Sequence, residues 1–290
     1  MQGICRLTLK QCELQNSHIY PKFVVDWMKS TGSRYLRNYT TPNRRQQDGL
    51  KKFLLSYEAE QLFSVREKWF SENVFRKYLE NQTVEIEYDE NLFYFAISFL
   101  WRILVLELEQ SNIETFKFFK EMRETEEEWR NFLLNGIYPL NYDRIHLILT
   151  DNIKDHTLPS RNVEYFFTRS MDGTTVFNEE YNKCSIFAKF SKFIFWGFIK
   201  SPDESGLVGT RINPIRGIMK APQQFNNLDV TSFFLHRIQL YDKRESASEN
   251  QQEKMLEEIR NNREFYQNSE LFDTLNFDHE MDKKNKNNKW

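Results

Sequence analysis

The sequence predicts an α+β protein with a small ββα-like module at the front, central helices, and a mainly antiparallel sheet toward the C-terminus. Three observations predict it. Residues 1–80 mix short extended pieces with helix signals, residues 91–134 repeat apolar side chains at helical spacing, and beyond Pro139 the apolar runs shorten between turn-forming pairs. With 290 residues, 40% of them hydrophobic and 26 of them Phe, the chain can fill one large core or two modest ones. The expected division is a front module over residues 1–80, a helical and β-sheet body over 81–244, and a polar helix with a disordered tail over 245–290.

At the front, residues 4–14 and 17–19 read as extended. Pro21 suits the first turn of a helix running to about Lys29, since Phe23 and Trp27, like Val24 and Met28, stand four residues apart. Residues 30–52 are polar and rich in turn pairs, and helix is expected again from Phe53 through Val74. Phe95, Phe99, Ile103 and Leu106 mark one face of the next helix, and Phe116, Phe119 and Met122 mark another. Glu124 and the run 126–128 read as a solvated helix start, where carboxylates meet the positive end of the dipole. Strands are expected at 145–149, 163–168, 174–177 and 230–241. The run 185–199 is ambiguous, because Lys189 and Lys192 fit either a helix face or a bulged strand. A polar helix is expected over 248–266 and disorder over the last dozen residues, HEMDKKNKNNKW.

A formal net charge of -2 gives no overall pull toward nucleic acid or anionic lipid. The charge is unevenly placed: residues 1–80 hold 14 Lys and Arg against 8 Asp and Glu, whereas 81–145 hold 6 against 13. Three cysteines, Cys5, Cys12 and Cys184, offer no disulfide framework, so a reducing, cytoplasmic compartment is expected. The first residues lack the apolar core of a signal peptide. The longest apolar stretch, 92–108, is interrupted by Ser98, Arg102 and Glu107, which reads as a core helix and not a membrane span.

The order Cys5-Arg6-Leu7-Thr8, Ser17-His18-Ile19-Tyr20-Pro21 and Leu54-Leu55-Ser56-Tyr57-Glu58-Ala59-Glu60 resembles a bacterial family related to HNH endonucleases. Gln47-Asp48-Gly49 and Phe63-Ser64 add to the likeness, which covers roughly residues 3–80. In that pattern two CxxC pairs form a zinc knuckle, a Ser-His-Ile-x-Pro segment leads into a helix, and the histidine faces phosphate. The resemblance implies that His18 is a general base, with Asp48 and Glu60 helping to hold Mg²⁺ or Mn²⁺ for phosphodiester hydrolysis. It also implies a role in bacterial defence or mobile elements. Here Thr8, Ser56 and Ala59 stand at three of the four thiolate positions, so structural zinc is not expected and packing must replace it. Glu60 falls where the last histidine of the common pattern would be, and Asn43 is the candidate for its central asparagine.

Two readings stay open at His18: the base of a nuclease, or a hydrogen-bonded strand-to-helix junction. Two also stay open for Arg34, Arg37, Arg44, Arg45, Lys51 and Lys52, which with Tyr35 and Tyr39 could grip DNA or RNA or could simply be a solvated loop. The alternative for the whole chain is a catalytically inactive interaction or scaffold protein that docks a protein partner through exposed aromatics of residues 139–241. His146, His156, His236 and His279 lack metal-ligand spacing. Gly206-Leu207-Val208-Gly209-Thr210 lacks the lysine of a phosphate loop and reads as a turn. Cys184, beside an apolar run, reads as inert core.

Overall fold

The computed structural model describes all residues except 39–40, 82–83, 151–161, 224–225, 244–245 and 288–290. Its architecture is α+β, with a four-stranded antiparallel sheet in the C-terminal half. The front of the chain runs β1 (Gln2–Ile4), β2 (Gln11–Glu13), β3 (Gln15–His18), α1 (Lys22–Ser30), β4 (Leu36–Asn38), β5 (Thr41–Gln46), β6 (Lys51–Leu55) and α2 (Tyr57–Phe70). A π-helical turn at Ser71–Phe75 joins α2 to the short α3 (Arg76–Leu79). Then come β7 (Glu85–Asp89), α4 (Glu90–Leu108) and α5 (Phe119–Asn135).

The sheet is built from β8 (Ile145–Leu149), β9 (Met171–Asn178), β10 (Lys183–Phe190) and β11 (Phe193–Lys200), in the order β8-β11-β10-β9. Between β8 and β9 lies α6 (Val163–Arg169); β12 (Arg216–Lys220) pairs with β7. Four helices end the described chain: α7 (Leu228–Asp242), α8 (Glu249–Asn261), α9 (Arg263–Gln267) and α10 (Glu270–Asn287).

The sheet is covered on both faces, which explains why its central strands are almost continuously apolar. Side chains alternate along each strand: Ile186, Ala188, Phe190, Phe193 and Phe195 join the core around α4, whereas Phe187, Ile194, Trp196 and Phe198 pack against α6 and α7. Gly197 lets α5 come close, since a Cβ there would meet Trp129 Cη2 at 3.0 Å. Helix α4 is long and apolar enough to cross a bilayer by length and composition, but 72% of its most apolar window is buried inside the protein.

The segments 163–168 and 230–241, expected as strands, are the helices α6 and α7. Short apolar runs do not distinguish a strand from a helix laid on a sheet, and Asn227, whose side chain accepts from the Val230 N–H at 3.1 Å, starts α7. The run 185–199 is a hairpin of β10 and β11 turning at Ser191, where φ is +46°. The acidic run 124–128 does not open a helix: it lies in the middle of α5, with Glu126 buried and accepting from Trp101 Nε1 at 3.1 Å and from Arg130 Nε at 3.1 Å. Residues 51–55, close to the expected return to helix at Phe53, are strand, and helix starts at Tyr57. Helix α10 continues through most of the tail that composition reads as disordered, and its Asp278 accepts from the N–H groups of Glu164 and Tyr165 at the start of α6, each at 2.9 Å.

One apolar core runs without a break from Cys5, Leu7 and Ile19 through Phe70 and Phe95 to Ile212. The front module is therefore packed into the body. Phe23, Phe70 and Phe75 form a ring cluster with Phe95, Phe190 and Phe193, including Phe70 stacked on Phe95 at 4.0 Å. Each fully buried ring contributes about 1.5–3 kcal/mol. Phe53 of β6 stands outside this packing and is exposed.

Candidate functional site

The sequence places extended pieces at 4–14 and 17–19 before a helix from Pro21; the structure has β1, β2 and β3 before α1, and a second strand-to-helix passage from β6 into α2. β3 and β6 pair antiparallel with His18 opposite Lys51, and the chain passes from β6 directly into α2. Helix α1 and the β4–β5 hairpin are inserted between the two strands.

The two turns where the resemblance places metal ligands meet at Cys5. The Arg6 N–H donates to Leu54 O at 2.9 Å, tying the first turn to β6, and Ser56 Oγ caps α2 by accepting from the Ala59 N–H at 3.3 Å. Burial of Cys5 opposes ionisation of its thiol. Hydrogen bonds from the Thr8 hydroxyl and from the N–H groups of Thr8, Ser56 and Leu7 outweigh it and hold the pKa below the ordinary range. The donor set is one thiol, two neutral hydroxyls and the buried methyl of Ala59, which does not fit tetrahedral zinc.

His18 ends β3. Its Nε2 lies 2.9 Å from Asp48 Oδ1, which also accepts from the Gly49 N–H at 2.9 Å, while Asp48 Oδ2 is ion-paired to Lys51. Partial burial of Asp48 opposes its ionisation, but hydrogen bonds from Lys51, His18 and Gly49 prevail and keep the carboxyl well below its usual pKa. With Nε2 directed to Asp48, Nδ1 of the neutral ring carries the lone pair and can take a proton. The imidazole is 21% exposed, so it is neither sealed in the core nor free in solvent. Behind it, Arg102 of α4 donates to His18 O at 3.0 Å and pairs with Glu67 of α2 at 2.8 Å.

Asp48 lines a cleft of about 570 Å³ between the front module, α6 and the start of β9, with Lys51, Tyr20, Tyr35, Tyr165, Ser170, Asp172 and Tyr241 among its walls. Arg169, another wall residue, donates to Glu270 at 2.7 Å and to Met28 O at 2.6 Å, joining α6 to α10 and α1.

The other nominated residues divide. Glu60 is half-buried in the first turn of α2, and among the described residues no three of His, Cys, Asp or Glu converge into a metal set, so His18, Asp48 and Glu60 do not form one. With both oxygens of Asp48 engaged, this arrangement does not fit a divalent ion. Asn43, the candidate central asparagine, accepts from the Ser248 N–H at 2.7 Å. Among the basic residues, Arg34 donates to Asn262 at 3.2 Å, Lys51 serves Asp48, and Arg44 and Lys52 are exposed. The side chains of Arg37 and Arg45, and all of Tyr39 and His156, lie outside the described residues.

Arg102 is the site residue that sequence reading missed. A signal was there, since a guanidinium within an apolar core helix requires a buried partner. His146 is buried, with Nδ1 2.9 Å from Thr210 Oγ1, and burial pushes its pKa down to about 4. Cys184 is also buried, which pushes its thiol up to about 12.

No family model matches the chain, and neither a curated protein nor a solved structure matches it.

Proposed function

We propose that the protein is a nucleic-acid-associated protein built on an HNH-related module, and that it binds the phosphodiester backbone without metal-dependent cleavage. The observation that carries this reading is the register of β3 and β6, which sets His18 at a strand end with its ring on Asp48, in a strand pair whose second member leads directly into α2. The meeting of the turns 5–8 and 56–59 at Cys5 supports the same ancestry. Exposed Arg44 and Lys52 supply charge for phosphate contact. Against cleavage stands the engagement of Asp48 by Lys51, which already supplies the positive charge a divalent ion would bring.

A second reading, hydrolysis with His18 as general base, is favoured by one feature: the carboxylate fixes Nε2 and leaves Nδ1 to receive a proton. Incubating wild-type protein and His18→Ala with labelled single- and double-stranded DNA and RNA, under Mg²⁺ or Mn²⁺, separates the two. Binding with intact substrate in both proteins is the expected result. Cleavage by the wild type that vanishes in His18→Ala would establish the second reading, and absence of binding to every substrate would overturn both.

A further inference from the structure

Lys189 is the one described residue that is both a lysine and among the largest fully enclosed side chains. It projects from β10 toward the C-terminal end of α6, where its Nζ lies 2.7 Å from Phe166 O, 2.9 Å from Ser170 O and 3.1 Å from Ser170 Oγ. Among the described residues no carboxylate comes within ion-pair distance of it, and the charge that acts on it, Asp172, is itself paired with Arg237. An ammonium without a counter-ion is costly to bury, so the neutral amine is favoured. Burial, partly opposed by Asp172, pushes the Lys189 pKa down to about 7. A neutral amine can give its two N–H groups to the two carbonyls and turn its lone pair to the serine hydroxyl.

The residue that carries this hydroxyl is not fully enclosed. Ser170 is half-buried and lines the cleft of about 570 Å³, at the junction between α6 and the sheet-edge strand β9. Its hydroxyl now donates to Phe166 O at 2.6 Å, and Lys189 Nζ stands within reach as the alternative acceptor. The charges around this cleft cancel in pairs: Lys51 with Asp48, Arg169 with Glu270, and Asp172 with Arg237. Four tyrosines, Tyr20, Tyr35, Tyr165 and Tyr241, complete much of the wall. A wall of paired charges and phenol rings suits an uncharged group better than a phosphate.

We infer that Ser170 and Lys189 form a nucleophile–base pair that opens onto this cleft and acts on the acyl carbon of a carboxylic ester or amide. The inference does not rest on the nucleic-acid reading. Ser170 Oγ attacks the acyl carbon as its proton passes to Lys189 Nζ. The bond to the leaving oxygen or nitrogen then breaks, and the Lys189 ammonium returns the proton to it. Water, deprotonated by the regenerated amine, attacks the acyl-serine, releasing the carboxylic acid and restoring the Ser170 hydroxyl.

The test is covalent labelling of the full-length protein by a fluorophosphonate, read by peptide mapping, with p-nitrophenyl butyrate as the ester probe. Wild type is expected to carry one phosphonyl group on Ser170 and to turn over the ester. Ser170→Ala is expected to lose both. Lys189→Met, checked for folding by near-UV circular dichroism, is expected to label at least 100-fold more slowly. The wild-type map decides the matter even if that variant does not fold. Folded wild type left unmodified at Ser170 would overturn the inference, as would a folded Lys189→Met that labels at the wild-type rate.

Discussion

Arg102, near the middle of the core helix α4, donates to the main-chain oxygen of His18 at 3.0 Å. The same guanidinium pairs with Glu67 at 2.8 Å, and its Nε lies 3.3 Å from Ser98 O. The end of β3, and with it the imidazole on Asp48, is thereby fastened to the centre of the protein. A front module that lacks a thiolate set for zinc can thus hold a defined position for His18.

Breaking this fastening should be costly. Arg102→Met leaves Glu67 without its partner in a partly buried place, and removing one member of a buried pair typically costs 3–5 kcal/mol. Because Glu67 retains some contact with water, a loss of about 3 kcal/mol is expected in urea denaturation. Adding Glu67→Gln to Arg102→Met should recover part of it.

The close approach of α5 to the sheet gives a second outcome. In Gly197→Ala the new methyl would meet Trp129 Cη2 at 3.0 Å and both Ile186 Cγ2 and Leu100 Cδ1 at 3.2 Å. Overpacking of this kind should destabilise the protein by about 1–3 kcal/mol, measured by the same denaturation experiment.

The ancestry proposed for the front module can be tested by restoring its thiolates. If the turns at 5–8 and 56–59 are former metal turns, Thr8→Cys, Ser56→Cys and Ala59→Cys together should bind one zinc per chain, detected by elemental analysis after gel filtration. Failure of the folded triple variant to take up zinc would count against the resemblance.

Lys189 should leave a mark on stability as a function of pH. Its folded pKa, about 7, lies below that of the unfolded chain, so between these values the unfolded state binds more protons. Stability from this group should therefore rise as pH increases from about 7 to about 10, its unfolded value, and be flat below about 7. Lys189→Met should remove that rise, read as the change in melting temperature between the two ends of the window.

The parts of the fold legible in sequence were those where local chemistry and tertiary context agree. The turn at Asp48-Gly49, the Ser-His-Ile-x-Pro junction and the regular apolar spacing of α4 each mark an element that is present. Residues 163–168 and 230–241 misled because a short helix lying on a sheet needs the same dense apolar run as a buried strand. The tail misled for a different reason: residues 279–290 are polar, yet α10 runs on to Asn287, anchored just before them by Asp278 on the N–H groups that open α6, which composition cannot reveal. At the site, the pairing of His18 with Asp48 joins residues thirty positions apart, and sequence order nominated both. It could not show that Lys51 would take the second carboxylate oxygen, nor that Arg102 would reach His18 from another layer.

The most direct measurement is the salt dependence of binding to fluorescein-labelled DNA and RNA, comparing wild type with the double variant Arg44→Glu/Lys52→Glu. Affinity is expected to fall steeply between 50 and 200 mM salt, by roughly tenfold or more if a few phosphates are contacted, and to be lost in the double variant. Binding that ignores salt, or that survives both charge reversals unchanged, would contradict the proposed function.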